Sequence, residues 1–137
     1  MKRKFLVLLA ACLSVRMVIG CSEEEIVRVG TPFNDEGTTG AEFNTGFTDS
    51  ETISELRKIF KMEEKIEPPK ELAPVADLVL TLDKPEENVS ELWRYIWYMN
   101  DGSAVLSNRE NAVVGEEKQE FYALDQEQTK ELKSILE

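Results

Sequence analysis

The sequence contains no histidine, and its 137 residues include only two cysteines, Cys12 and Cys21. Without histidine, Ser-His and Cys-His catalysis are excluded, as are histidine-built zinc sites. Basic residues are also scarce, 16 against 27 acidic ones, for a net charge of −11. Nucleic-acid affinity rests largely on Lys and Arg neutralising phosphates, so DNA and RNA are not expected partners. No apolar run is long enough to cross a membrane as a helix. The longest, Phe5 to Val15, has eleven residues, where about 20 are needed.

That short run has a specific setting. Lys2, Arg3 and Lys4 precede it, and Val18-Ile19-Gly20-Cys21 follows. A basic cluster, a short apolar stretch and a small residue before cysteine resemble a bacterial lipoprotein signal peptide with its lipobox. Arg16 departs from the pattern by placing a charge near the cleavage site. The expectation is that residues 1–20 are removed and that Cys21 carries lipid, holding the protein at the extracytoplasmic face of a cell membrane. The alternative is an ordinary secretory peptide in which Cys21 is incidental. Acylation also accounts for the cysteine count, because Cys12 leaves with the signal and Cys21 then has no intramolecular partner.

The 117 remaining residues suit one domain. They carry 12 basic and 27 acidic residues, a net charge of −15. Solubility alone accounts for such a surface, and a partner with a basic surface also suits it. Residues 21–25 read as an acidic tether. Ser22 and the following glutamates resemble sorting signals that send some lipoproteins to an outer membrane or cell surface.

From Ile26 onward, periodicity predicts a short strand at Ile26–Val29, a Gly- and Pro-bearing loop over Thr31–Glu42, and a strand at Glu42–Phe47. Thr48 or Asp49 caps a helix whose Ile53, Leu56, Ile59 and Phe60 share one face, with Glu51 placed to complete a capping box. Pro68-Pro69 close that segment. Further strands are expected at Ala76–Leu82, Leu92–Met99, Ala104–Ser107 and Glu120–Leu124. Asp101-Gly102 turns one hairpin, and Asn108–Gln119 reads as loop. A last helix is capped by Asp125 with Gln128, and buries Leu132, Ile135 and Leu136. This pattern predicts an α+β fold over residues 26–137: a two-layer domain, mainly antiparallel sheet, with two helices on one face.

Candidate sites are few. The glycines of 37–40 lack the Gly-Lys-Ser/Thr ending of a phosphate loop. Asn34-Asp35-Glu36-Gly37 does not match a calcium loop. Carboxylate pairs such as Glu86-Glu87 and Glu116-Glu117 lie in predicted loops, where solvent is their natural partner. No catalytic, cofactor-binding or metal-binding residue is assigned. Trp93, Tyr95 and Trp97 alternate onto one face of a strand. That face is read as core, with an exposed platform for stacking peptidoglycan sugars as the alternative. Arg94 and Tyr98, on the opposite face, are then the expected exposed ligand contacts.

The Phe47-Thr48-Asp49 helix entry, the Ala76-Asp77-Leu78 strand, the Trp93–Trp97 strand and Tyr122-Ala123-Leu124 leading into the last helix together resemble the YhfM-like group of small Gram-positive lipoproteins. The resemblance covers most of residues 26–137 and implies no activity or site residues. The functional expectation is a non-enzymatic module that binds another envelope protein. A glycan-binding module and a carboxylate hydrolase are the alternatives.

Overall fold

Glu36 and Gly37 decide how the chain begins to fold. Both adopt positive φ, 49° and 86°, the backbone a two-residue hairpin loop requires. They join β1 (Ile26–Asp35) to β2 (Thr38–Phe47), paired antiparallel from Val27–Phe47 to Asp35–Thr38. The loop expected over Thr31–Glu42 is thus mostly ladder, with only its centre turning. Threonine and phenylalanine favour extended backbone, and a ribbon edge tolerates the Pro and Gly that read as loop. The computed structural model describes residues 24–109 and 119–137. The signal segment, Cys21 and most of the expected 108–119 loop lie outside the described residues.

Asp49 caps α1 (Ser50–Lys61), its carboxylate accepting the Thr52 N–H at 3.0 Å. With Asp49 at the cap, the third helical position is Thr52, so Glu51 closes no box. A short strand not expected from the sequence, β3 (Glu64–Ile66), follows the helix. It is too short to show an alternation. The strands β4 (Leu78–Lys84), β5 (Val89–Tyr98), β6 (Ala104–Ser107) and β7 (Phe121–Leu124) complete the sheet. β4 runs two residues further along the chain than its apolar pattern suggests, because Asp83 and Lys84 pair with Ser90 and Val89. The β5–β6 turn is as expected: Gly102 has φ 88°, and the Met99 N–H donates to the Ser103 carbonyl at 2.9 Å. α2 (Gln126–Leu136) opens on the expected reciprocal box between Asp125 and Gln128.

All neighbouring strands are antiparallel, in the order β2-β1-β4-β5-β6-β7-β3. The fold is α+β, mostly antiparallel sheet with two helices. Cross-strand registers assign the two faces. Leu80 lies opposite Val29 and Arg94, Leu82 opposite Val27 and Leu92, and Ile96 opposite Leu78 and Leu106. This face packs with Ile53, Leu56, Ile59 and Phe60 of α1 and Leu132 of α2 in one continuous core. Ile135 and Leu136 lie partly buried at its margin.

The opposite face carries Val79, Thr81, Trp93, Tyr95, Trp97 and Val105. The connection between β3 and β4 crosses one end of it. There Trp97 and Val105 pack with Ala76, and Leu72 lies partly buried beside them. The Trp97 indole N–H donates to the Ala73 carbonyl at 2.9 Å. β4 is buried on both sides from Val79 to Leu82, and Thr81, the one polar side chain of that run, donates its hydroxyl to Asp83 at 3.1 Å.

Candidate functional site

The three aromatics that alternation placed together on β5 have separate fates. Trp97 is 3 % exposed under the crossing connection, whereas Trp93 is 39 % exposed. Tyr95 lies between them, half-buried. Phe43 of β2 joins Trp93 from the far side of the sheet and is 41 % exposed. Its ring meets Trp93 edge-on, at 6.4 Å between centroids and 89° between planes; Trp93 and Tyr95 are 6.5 Å apart and tilted by 42°.

Phe43 reaches this position because β1 gives way beneath it. The register shifts between Val29 and Gly30, and a Cβ on Gly30 would lie 3.0 Å from the Phe43 ring and 2.7 Å from the Glu42 carbonyl oxygen. No side chain fits there. Gly30 thus lets the β2 ring lie down across β1 toward β5. The result is a row, Phe43–Trp93–Tyr95, on the face away from the helices. Arg28 and Thr81 are cross-strand partners on the same face, as are Thr81 and Trp93.

Arg94 and Tyr98 occupy a different setting from the exposed one expected for ligand contacts. Both point to the helix-bearing side. Arg94, with its side chain 15 % exposed, donates to the Glu63 carboxylate at 2.6 and 3.1 Å. Its guanidinium lies 4.7 Å from the centroid of the Tyr122 ring. The Tyr122 hydroxyl in turn donates to Glu120 at 2.6 Å, which holds the Glu120 carboxyl below its usual range and pushes the Tyr122 phenol up. Tyr98 packs against the main core, with the Lys133 ammonium 4.4 Å from its ring centroid. Burial raises its phenol to about 12, aided by the charges of Glu137 and Asp77. The face expected to be free is the one the helices cover.

Among the described residues, the partly buried carboxylates are taken by cations or hydroxyls. Glu63 is held by Arg94. Asp83 accepts from Thr81 at 3.1 Å and Ser90 at 2.5 Å, with Arg28 at 3.6 Å. Arg57 bridges Glu25 at 2.9 Å and Glu91 at 2.8 Å. Its hydrogen bond holds Glu25 below the usual carboxylate range. The last residue of the expected acidic tether is therefore pinned to α1. Among the described residues, no group of three or more His, Cys, Asp and Glu side chains is placed to hold a metal, and no helix is long and apolar enough to cross a membrane.

Phe43 is the member of the aromatic row that sequence reasoning missed. Its signal is present as Gly30, a small residue paired with a large aromatic, but strand pairing must be known before that can be read.

No family model matches the chain, and no curated protein matches it. Among solved structures it is similar to a thioesterase-like protein from Clostridium sporogenes, with a TM-score of 0.52 and 20% identity over 83% of this chain and 94% of that one. At that identity the likeness shows the fold alone: a mostly antiparallel α+β sheet with helices.

Proposed function

We propose that this chain is a lipid-anchored protein of the bacterial envelope, and that its domain binds another envelope protein through Phe43, Trp93 and Tyr95. Cys21 carries the anchor, at the extracytoplasmic face of the membrane. Residues 26–137 form the binding domain, two-layered and with both helices behind the sheet, and the chain is a relative of the YhfM-like lipoproteins it resembles. It acts without catalysis and without a cofactor.

The observation that carries this reading is the exposure of Trp93 and Phe43 in mutual contact on the face without helices. Scattered exposed apolar residues need no explanation, but rings gathered on a rigid surface form the kind of anchor that dominates protein interfaces. The sheet fixes their backbones, so little ordering is lost on binding. The acidic body favours a partner with a basic rim, which speeds encounter more than it strengthens the complex.

Glycan binding is the second reading, and Trp93 alone offers a ring for one sugar. The ring planes at 89° and 42° do not make the shared flat surface on which a glycan chain stacks. A hydrolase is the third reading, raised also by the thioesterase-like neighbour. Such an enzyme needs a carboxylate free to act as base or nucleophile, and among the described residues the partly buried ones are engaged.

The test is capture from detergent-solubilised membranes with wild type, Trp93→Ala and Trp93→Phe. A partner retained by wild type and Trp93→Phe but lost with Trp93→Ala supports the proposal. Titration with soluble peptidoglycan fragments, followed by tryptophan fluorescence, and assay with acyl thioesters address the other two. Saturable glycan binding, or turnover abolished by a carboxylate substitution, would replace the protein-binding reading.

A further inference from the structure

Among the described residues, the two edges of the sheet are protected unequally. At one end lies β3, three residues long, with Glu64 and Lys65 in it and Pro68-Pro69 just beyond. A short, charged strand followed by prolines is how a sheet refuses further pairing. At the other end lies β2, ten residues long, whose one charge is Glu42. It has no proline and no lysine. Moreover, β4 accompanies β1 only from Ile26 to Gly30, so the β1–β2 ribbon overhangs the sheet past that point. A two-stranded ribbon by itself is marginal in water, and an added strand would stabilise it.

The outward-facing groups of β2 follow from its turn. A two-residue loop closes on a pair whose N–H and C=O groups face each other, here Asp35 and Thr38, and alternation then turns those of Thr39, Ala41 and Phe43 to the free edge. Pro32 agrees with this count. It lies opposite Ala41, at a position whose missing N–H takes nothing from the β1–β2 ladder.

We propose that this edge pairs antiparallel with the same edge of a second copy, about a two-fold axis through Ala41. In that register Ala41 faces its counterpart, Thr39 faces Phe43, and Gly40 faces Glu42. Every outward-facing group of the overhang then finds a partner, and the only carboxylate on the strand meets a glycine instead of itself. An axis at Phe43 would run into the Val29/Gly30 irregularity. An axis at Thr39 would run off the Glu36-Gly37 turn. Of the registers centred on an outward-facing residue of β2, this one alone is free of both obstacles, and it is self-complementary, as a closed two-fold interface requires.

The axis stands perpendicular to the sheet, so both aromatic rows emerge on one face and both helical layers on the other. Phe43 of each copy lies opposite Thr39 of its neighbour with its ring turned toward its own Trp93, and the binding surface becomes bivalent. The pairing does not depend on what the aromatic row binds. Like charge on the two bodies opposes it, with a reach of about 8 Å at physiological ionic strength, so added salt should strengthen the dimer.

Two measurements test this on the full chain in detergent. In sedimentation equilibrium, wild type should approach twice the mass that denaturing mass spectrometry gives for its own single chain, increasingly so with salt. Ala41→Glu, which sets carboxylates face to face on the axis, should lose the dimer and keep its melting temperature. Ala41→Cys, in a chain also bearing Cys12→Ala and Cys21→Ala, should form an intermolecular disulfide under mild oxidation. Facing residues of such a pair have Cα atoms about 5.5 Å apart, within the disulfide range of about 4.4–6.8 Å. Glu42→Cys, which faces Gly40, should not cross-link. A monomeric wild type, or equal cross-linking at the two positions, overturns the proposal.

Discussion

Trp93 and Trp97 lie on the same face of one strand, four residues apart, yet one is 39 % exposed and the other 3 %. The difference is the β3–β4 connection, which covers Trp97, accepts its indole N–H at Ala73, and stops short of Trp93. This division separates stability from recognition within one strand.

Trp97→Ala should therefore cost about 3–5 kcal/mol, the range for truncating a buried aromatic. Trp93→Ala should cost about 1 kcal/mol or less. Urea denaturation of both variants measures the contrast. Equal losses would mean that the connection does not hold Trp97 as described.

Removing one partner of the Arg94–Glu63 pair should destabilise strongly, because the other charge is left largely out of solvent. Arg94→Met is expected to cost about 3 kcal/mol, with the Tyr122 ring losing its cation as well. The Arg94→Met/Glu63→Gln double variant should recover part of that loss. Additive losses in the double-mutant cycle would show that the pair is not coupled.

Alkaline stability should depend on Tyr98. Its folded phenol is raised from the usual 10.0 to about 12, so folding favours the protonated form. That contribution is fully present below pH 10 and is lost as pH rises through 12. Phenolate absorbance should show a late titration that Tyr98→Phe diminishes, and the same substitution should flatten the fall in melting temperature over that window.

Acid has the opposite effect on Glu25. Its folded carboxyl lies below the usual 4.5, chiefly through the hydrogen bond from Arg57. The stabilisation is present above that value and is lost as pH falls through the lower, folded one. Glu25→Gln should leave stability at neutral pH slightly reduced and its decline below pH 4.5 shallower, as read by thermal melts across an acid series.

If Cys21 carries lipid, Cys21→Ala should move the protein from the membrane fraction to the soluble one. Intact mass of the wild type should show the lipid increment and the absence of residues 1–20. A wild type of unmodified mass would remove the anchor from the proposed function.

Local chemistry carried much of this fold in the sequence. Asp49 and Asp125 announce their helices because a carboxylate at the cap satisfies backbone N–H groups wherever the helix lies. Gly102 announces its turn because its φ is forbidden to most residues. The spacing of Ile53, Leu56, Ile59 and Phe60 marks a buried face before its partner is known. What the alternation of β5 could not reveal was which end of its aromatic face would be covered, since that depends on a connection some twenty residues earlier in the chain. For the same reason it assigned Arg94 and Tyr98 to an open surface: a strand's pattern separates two faces but does not say which one the helices take. The β1–β2 ladder was hidden because backbone pairing depends on a neighbouring strand and asks little of side chains. Phe43 reached Trp93 only because Gly30, two strands from β5, left room beneath its ring. Caps, turns and amphipathic faces are set by interactions within a few residues, whereas exposure of the candidate site is a property of which distant segments come to lie across it.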